Sequence, residues 1–365
     1  MTATTTTQVA APAWQDDLRA AVPGWIAARA VVAVAWLVNL VLVEVRLDGV
    51  DPTATDQGLY AWDGSYYRAL AELGYAGADP DGIRFHPLVP LLGVNGVGIL
   101  LLANVSALVA AALVHRLVVV VMDDRDLARR SATLVSIAPP AFVLVWAYAE
   151  GPFLLLSAAV LLALHRRWWW TAAALGSLAT LTRPSGLLLA LPAAVEGWRA
   201  WRASDLRARA GIVAAVVGPF AGFAAFLLWV EEATGDWLAP LRVQDDFRDG
   251  TVFPLLRLAE GLGEVVTDTL GDGLHVPFAF AMIALAWWAW RHLPLSWSAL
   301  AIATVVSNLS AGNLNSIERY AFGCVPLVVA FAGVAGGRWW RPAVVLSILA
   351  MLGMAVLAWQ GELVP

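Results

Sequence analysis

Long apolar runs alternate with short polar segments along all 365 residues of the chain. A membrane-spanning helix needs about 20 predominantly apolar residues, and counting the runs on that basis predicts about eleven transmembrane helices. The runs are 30–43, 91–121, 132–148, 153–164, 168–182, 187–195, 212–230, 275–290, 295–309, 320–334 and 343–359. The pattern predicts an all-α polytopic membrane protein with one integral membrane domain over residues 1–365.

Three polar segments stand apart from the short connections: an N-terminal tail at 1–22 and two long loops at 44–90 and 231–274. Within each loop, apolar residues recur at the spacing of an amphipathic helix. They are Trp62, Tyr66, Ala69, Leu70 and Leu73 in the first loop, and Phe253, Leu256, Leu258, Leu262 and Val266 in the second. Such helices lie along a membrane surface. The two loops therefore predict a pair of interfacial helices that roof a cavity.

Composition supports a membrane protein, because the chain is 60% hydrophobic and only 14% charged, against about a quarter charged in soluble domains. All of its basic residues are arginine. With the N-terminus in the cytoplasm, every short loop obeys the positive-inside rule, and both long loops become extracytoplasmic. We expect a multi-pass protein of a bacterial plasma membrane, with the first apolar run as an uncleaved signal anchor and the active site outside.

Asp63 is the strongest catalytic candidate in the first loop. It lies between Trp62 and Gly64, near the start of the predicted interfacial helix, where the helix dipole favours a carboxylate. A simple helix cap is the equal alternative from position alone. The nearby rings of Tyr66 and Tyr67 favour function, since aromatic rings commonly wall sugar sites and a carboxylate can accept the proton of an attacking hydroxyl. We therefore predict Asp63 as a catalytic base.

The lengths of two apolar runs indicate the depth of Glu150 and Arg183 in the membrane. At 1.5 Å per residue, the run from Glu150 to the next basic cluster is ~21 Å long and the run from Arg183 to Arg199 is ~24 Å long. The hydrocarbon core is about 30 Å thick. Both charges should therefore lie below the outer surface, where a charge needs a partner or a water-filled cavity. Two interpretations stay open: a cavity wall facing the outer leaflet, or a mutual structural ion pair.

His86 and Arg319 are candidates for binding an anion at the outer surface. Arginine is the natural phosphate ligand, although Arg319 could also belong to the interfacial belt and His86 could be an ordinary interfacial histidine. The pairs Asp79–Asp81 and Asp124–Asp126 have the spacing of a metal-binding motif, which matches often by chance. Without a Cys/His cluster or a glycine-rich phosphate loop, we predict no metal and no cofactor.

Six short motifs, in order, resemble those of the bacterial PIG-V-like mannosyltransferases, relatives of GPI mannosyltransferase II in the GT-C class. They are Trp62-Asp63 with Tyr67 and Gly74-Tyr75; Phe85-His86-Pro87-Leu88-Val89-Pro90; Tyr148-Ala149-Glu150; Leu181-Thr182-Arg183-Pro184-Ser185-Gly186; Gly235-Asp236-Trp237 with Gln244; and Arg319-Tyr320. His86 stands where the family usually has an aromatic residue. The motifs fall on the same predicted side of the membrane.

The resemblance implies a GT-C-like fold and inverting transfer of a sugar, most often mannose, from a polyprenyl-phosphate donor. The acceptor would be a glycan, a glycolipid or a protein, and no nucleic acid would take part. By the same resemblance Asp63 would be the general base, and Arg183, Arg319 and His86 would bind the donor phosphate. The implied substrate-binding residues are Trp62, Tyr66, Tyr67, Glu150, Tyr148, Trp237, Gln244 and Tyr320.

Two alternatives remain at the level of sequence. A translocase for lipids or polyprenol-linked sugars would also need a cavity and arginines, although it would not require an acid beside aromatic rings on one face only. A GT-C transferase could instead use another lipid-linked sugar, because sugar identity depends on a few hydroxyl contacts.

Overall fold

The computed structural model describes residues 13–45, 53–269 and 271–365. Within them the chain forms seventeen α-helices and five short 3₁₀-helices. The α-helices are α1 (Trp14–Val45), α2 (Thr53–Gln57), α3 (Asp63–Leu73), α4 (Leu88–Gly93), α5 (Gly96–Met122), α6 (Arg125–Ile137), α7 (Glu150–His165), α8 (Trp169–Thr180), α9 (Ala190–Trp201), α10 (Leu206–Thr234), α11 (Ala239–Phe247), α12 (Pro254–Thr267), α13 (Asp272–His292), α14 (Leu295–Leu309), α15 (Ile317–Phe322), α16 (Val325–Val334) and α17 (Trp340–Trp359). The 3₁₀-helices are Gly58–Tyr60, Pro80–Arg84, Pro139–Leu144, Pro184–Leu189 and Gly337–Trp339.

Five helical stretches of the described chain are long and apolar enough to cross a membrane: α1, α5, α10, α13 and the C-terminal stretch Gly337–Trp359. Three further apolar helices, α7, α14 and α16, are shorter. This confirms an all-α, multi-pass membrane protein. The count of about eleven transmembrane helices stays a prediction.

Several predicted spans are interrupted helices. The run 132–148 is divided because α6 ends at Ile137 and a 3₁₀-helix starts at Pro139. Proline removes a helical hydrogen bond and clashes with the preceding turn, and two prolines stand together here. The run 320–334 is likewise divided between α15 and α16. These interruptions place irregular backbone beside the site described below.

The first helix begins earlier than the sequence predicted. Residues 1–12 of the predicted tail lie outside the described residues, but α1 already starts at Trp14 rather than at residue 30. Asp17, in its first turn, is fully buried and pairs with His115 at 2.7 Å and with Arg116 at 2.7 Å on α5. Because this buried acid has partners, the polar start of α1 can pack as a helix against α5.

Small residues let α8 and α10 cross in close contact. A Cβ added at Gly218 or Gly222 of α10 would lie 2.4 Å or 2.3 Å from a backbone oxygen of α8, so neither position accepts a side chain. Ser177 of α8 also donates a hydrogen bond to the Gly218 carbonyl at 2.6 Å. Close crossings of this kind are typical of membrane helices. This crossing fixes the end of α8, from which the chain continues to Arg183.

The helices predicted in the two long loops are present as α3 and α12, and their position at the membrane surface stays a prediction. Several large apolar side chains of α12 are exposed, with Leu255 at 67% and Val266 at 83%, as expected of a helix that lies on a membrane. Its buried Arg257 pairs with Glu264 at 2.6 Å and with Asp272 of α13 at 2.5 Å, which ties the helix to the transmembrane domain. Helix α11 packs against the 3₁₀-helix Pro80–Arg84, so the two long loops meet.

Candidate active site

A cavity of about 610 Å³ lies where the two long loops meet the ends of the membrane helices. The first loop contributes Asp63 and residues 84–86, and the second contributes α11 with the turn after it. The rest of the wall comes from the segment after α8, the end of α14 and the start of α15. Seven of the predicted site residues line it: Asp63, Tyr67, His86, Arg183, Gln244, Arg319 and Tyr320.

Asp63 forms an ion pair across the fold. Its Oδ2 accepts a hydrogen bond from Nη1 of Arg319 at 2.5 Å, and the Arg319 side chain is only 4% exposed while that of Asp63 is 21% exposed. The N-cap of α3 is Trp62, so Asp63 is the first residue of the helix and not its cap. The capping alternative is therefore wrong, and the carboxylate keeps a face on the cavity.

Glu150 links a second arginine to this pair. Its Oε1 accepts a hydrogen bond from Nη1 of Arg183 and lies 3.5 Å from Nη1 of Arg319. The Glu150 side chain is 1% exposed and that of Arg183 is 11% exposed. Burying these charges is tolerable because each has a partner of opposite sign. Both interpretations left open by the sequence hold together: Glu150 and Arg183 form an ion pair, and Arg183 also lines the cavity.

Tyr320 lies among three arginines. The centre of its ring is 4.9 Å from the guanidinium carbon of Arg248 and 5.1 Å from those of Arg183 and Arg319. Tyr320 lies on α15, which is not one of the helices long and apolar enough to cross a membrane. Burial alone would raise the pKa of its hydroxyl, but the positive charges of Arg319, Arg248 and Arg183 outweigh burial and lower the pKa to about 8. This part of the wall is therefore strongly attractive to anions.

His86 does not provide a positive charge. Its Nδ1 lies 2.5 Å from the carbonyl oxygen of Thr180, which can only accept, so Nδ1 carries the proton. The ring packs on Phe226 at 4.3 Å and Phe223 at 5.9 Å between centroids. Burial lowers the pKa of His86 to about 4, so the imidazole is neutral at pH 7. That His86 contacts the donor phosphate stays a prediction, and a neutral ring would bring no charge to such a contact.

Five predicted substrate-binding residues do not line the cavity. Trp62 donates its indole N–H to the Ala358 carbonyl at 2.8 Å, and Tyr66 stacks on Phe85 at 5.0 Å. Tyr148 and Glu150 are buried behind the wall, while Trp237 is half exposed after α10. The indole N–H of Trp62 therefore has its partner within the protein, whereas the hydroxyl of the buried Tyr148 has no hydrogen-bond partner among the described residues. Their predicted contact with substrate is therefore not supported by their positions.

Arg84 and Arg248 line the cavity and were not singled out by the sequence. The guanidinium of Arg84 lies over the ring of Phe247 at 3.8 Å, and Arg248 donates to the Asn315 carbonyl at 3.3 Å. Each belongs to a different long loop. Only the meeting of the loops brings them together, and a single sequence holds no local signal for that.

The two aspartate pairs have local structural roles. Asp79 accepts a hydrogen bond from the backbone N–H of Asp81 at 2.8 Å, and Asp124 caps α6 by accepting one from Leu127 at 2.8 Å. Across residues 13–45, 53–269 and 271–365, no group of three or more His, Cys, Asp or Glu side chains is arranged to hold a metal ion. The absence of a metal cofactor stays a prediction.

No family model matches the chain, and no curated protein matches its sequence. In structure it is similar to the oligosaccharyltransferase of Archaeoglobus fulgidus in its apo form, with 13% identity and a TM-score of 0.43 over 92% of this chain and 56% of that one. The same enzyme, AglB, in complex with an inhibitory peptide and a dolichol-phosphate gives 14% identity and a TM-score of 0.40 over 92% and 55%. The chain thus spans about half the length of the structures it matches. Similarity at this level assigns neither activity nor substrate.

Proposed function

We propose that the protein is a membrane glycosyltransferase of the GT-C class that transfers a sugar from a polyprenyl-phosphate donor, with Asp63 as the general base. The sugar is mannose and the acceptor a glycan, glycolipid or protein, as the resemblance to PIG-V-like mannosyltransferases implies. The reaction takes place on the extracytoplasmic side of a bacterial plasma membrane. This side is the one on which the positive-inside rule puts both long loops.

The observation that carries the proposal is the position of Asp63 at a cavity lined by four arginines. Arg84, Arg183, Arg248 and Arg319 line the wall against the two carboxylates Asp63 and Asp245. A carboxylate that is held in place and still reaches the cavity suits proton abstraction. The excess of positive charge suits an anionic donor and the charge that develops on its leaving group.

The reaction balances with the groups that the cavity contains. The acceptor hydroxyl oxygen forms a bond to the anomeric carbon while the bond from that carbon to the phosphate oxygen breaks. The proton of the hydroxyl passes to Asp63, and the electron pair leaves on the phosphate, where the guanidiniums stabilise it. Arg319 keeps the carboxylate of Asp63 in one orientation, and Glu150 does the same for Arg183. Pre-organised partners of this kind lower the barrier by removing the cost of ordering.

The test is sugar transfer by the purified protein in lipid, with labelled polyprenyl-phosphate-mannose as donor and a membrane extract of the source cell as acceptor. We expect a labelled product that is absent with Asp63→Asn. A panel of other lipid-linked sugars in the same assay tests the choice of mannose. If no donor yields product but labelled lipid moves between leaflets in both proteins, the protein is a translocase and the proposal is wrong.

A further inference from the structure

Two of the four cavity arginines have no acidic partner in the described part of the chain. Arg183 pairs with Glu150, and Arg319 with Asp63. By contrast, the contacts of Arg84 are with aromatic rings, and the side chain of Arg248 contacts the Asn315 carbonyl and the ring of Tyr320. Of the four arginines, these two are therefore the ones that no ion pair neutralises, although the carboxylate of Asp245 lines the same cavity.

The surroundings of both guanidiniums fix their positions while leaving N–H groups free. Arg84 is held by ring stacking, 3.8 Å above Phe247 and 4.9 Å from Phe85, and stacking of this kind uses no N–H donor. Arg248 uses Nη1 for the Asn315 carbonyl, and its own carbonyl accepts from Gly312 at 2.9 Å. Two arginines that line one cavity and keep N–H donors available have the chemistry that a phosphate oxyanion requires.

The negative charge on the lipid phosphate increases during the proposed reaction, which suits binding by Arg84 and Arg248. A polyprenyl-phosphate sugar is a phosphodiester with one negative charge, whereas the polyprenyl phosphate that leaves is a monoester with about −1.5 to −2 at pH 7. We propose that Arg84 and Arg248 bind the phosphate of the lipid and favour the monoester that forms over the diester that binds. Interactions that strengthen as the reaction proceeds raise kcat rather than only tightening binding.

This inference rests on the proposed function and reassigns the phosphate from Arg183 and Arg319. In an inverting displacement the base and the leaving group lie on opposite faces of the sugar. Arg319 touches Asp63 at 2.5 Å, so it is on the side of the base. Arg183 is occupied by Glu150. On this account these two arginines hold the carboxylates, and the phosphate belongs to Arg84 and Arg248.

The experiment measures binding of polyprenyl phosphate and of its methyl diester to the purified full-length protein in lipid nanodiscs at pH 7.5. The variants are Arg84→Gln and Arg248→Gln, with Arg84→Lys and Arg248→Lys as charge-retaining partners. Arg242→Gln is the matched control, because Arg242 is on α11 of the same loop, is 59% exposed, pairs with Asp236 and does not line the cavity. Thermal unfolding confirms that each variant is folded.

We expect each glutamine variant to weaken binding of the monoester about tenfold or more and of the diester about threefold or less, with lysine restoring part of the loss. Arg242→Gln should bind both lipids like the wild type. Glutamine variants that keep wild-type affinity for the monoester, or that lose both lipids equally, would overturn the inference. A wild type that binds the monoester selectively but transfers no sugar would overturn the proposed function and leave the phosphate site standing.

Discussion

The carboxylate of Asp63 accepts a hydrogen bond from the guanidinium of Arg319 at 2.5 Å, although 256 positions separate the two residues in the sequence. Asp63 starts a helix of the first long loop, and Arg319 lies on α15, shortly after the connection 310–316 that follows α14. The pair joins the loop to the transmembrane domain. It also fixes the orientation of the proposed base. Loss of either partner should therefore affect both the position of the first loop and the proposed reaction at Asp63.

Replacing Glu150 by Gln should destabilise the protein strongly. The change leaves Arg183, whose side chain is 11% exposed, without its acid, and an unpaired buried charge costs on the order of 3–5 kcal/mol. Thermal unfolding in detergent measures the loss. The double variant Glu150→Gln with Arg183→Gln should recover part of it.

The exposed pair Asp236–Arg242 serves as the control for that measurement. Its side chains are 38% and 59% exposed, and removing an exposed pair changes stability by less than about 1 kcal/mol. Equal effects of Glu150→Gln and Asp236→Asn would contradict the structural importance of the buried network.

Sugar transfer should weaken as the pH rises past about 8. The pKa of Tyr320 is lowered to about 8 by its three arginine neighbours against the opposing effect of burial. Above that pH the phenol loses its proton, and the phenolate neutralises positive charge that the donor phosphate requires. We therefore expect the KM for the donor to rise between pH 8 and 10. In Tyr320→Phe this rise should be absent, and an identical rise in both proteins would assign it to another group.

His86→Phe should lower stability without affecting the use of the donor. The variant loses the hydrogen bond to the Thr180 carbonyl, and an unsatisfied buried acceptor costs about 1–3 kcal/mol. Because the pKa of His86 is about 4, the native ring has no charge to lose at pH 7. The KM for the donor should stay within about twofold of the wild-type value. A tenfold increase in KM at unchanged kcat would show that His86 contacts the phosphate after all.

The sequence predicted the features that depend on local patterns. Helical spacing in both long loops predicted α3 and α12, and the short apolar legs predicted that Glu150 and Arg183 need a partner or a cavity. The length of an apolar run does not show where proline interrupts the helix, so the run 132–148 was predicted as one span. The roles of Arg84 and Arg248 depend on contacts between distant loops, which periodicity does not record. Likewise, the sequence does not distinguish an aromatic residue that faces a cavity, like Tyr67, from one that packs on the core, like Trp62.

The central claim is that Asp63 is the base of a sugar transfer from a lipid phosphate, and Asp63→Asn tests it most directly. Asparagine keeps an oxygen that can accept from Arg319 but cannot take up the acceptor proton. Donor affinity should stay near the wild-type value, while kcat falls by about 10²–10⁴. The measurement is kcat of mannose transfer by both purified proteins, with binding of labelled donor in parallel. A variant that turns over at the wild-type rate would contradict the account.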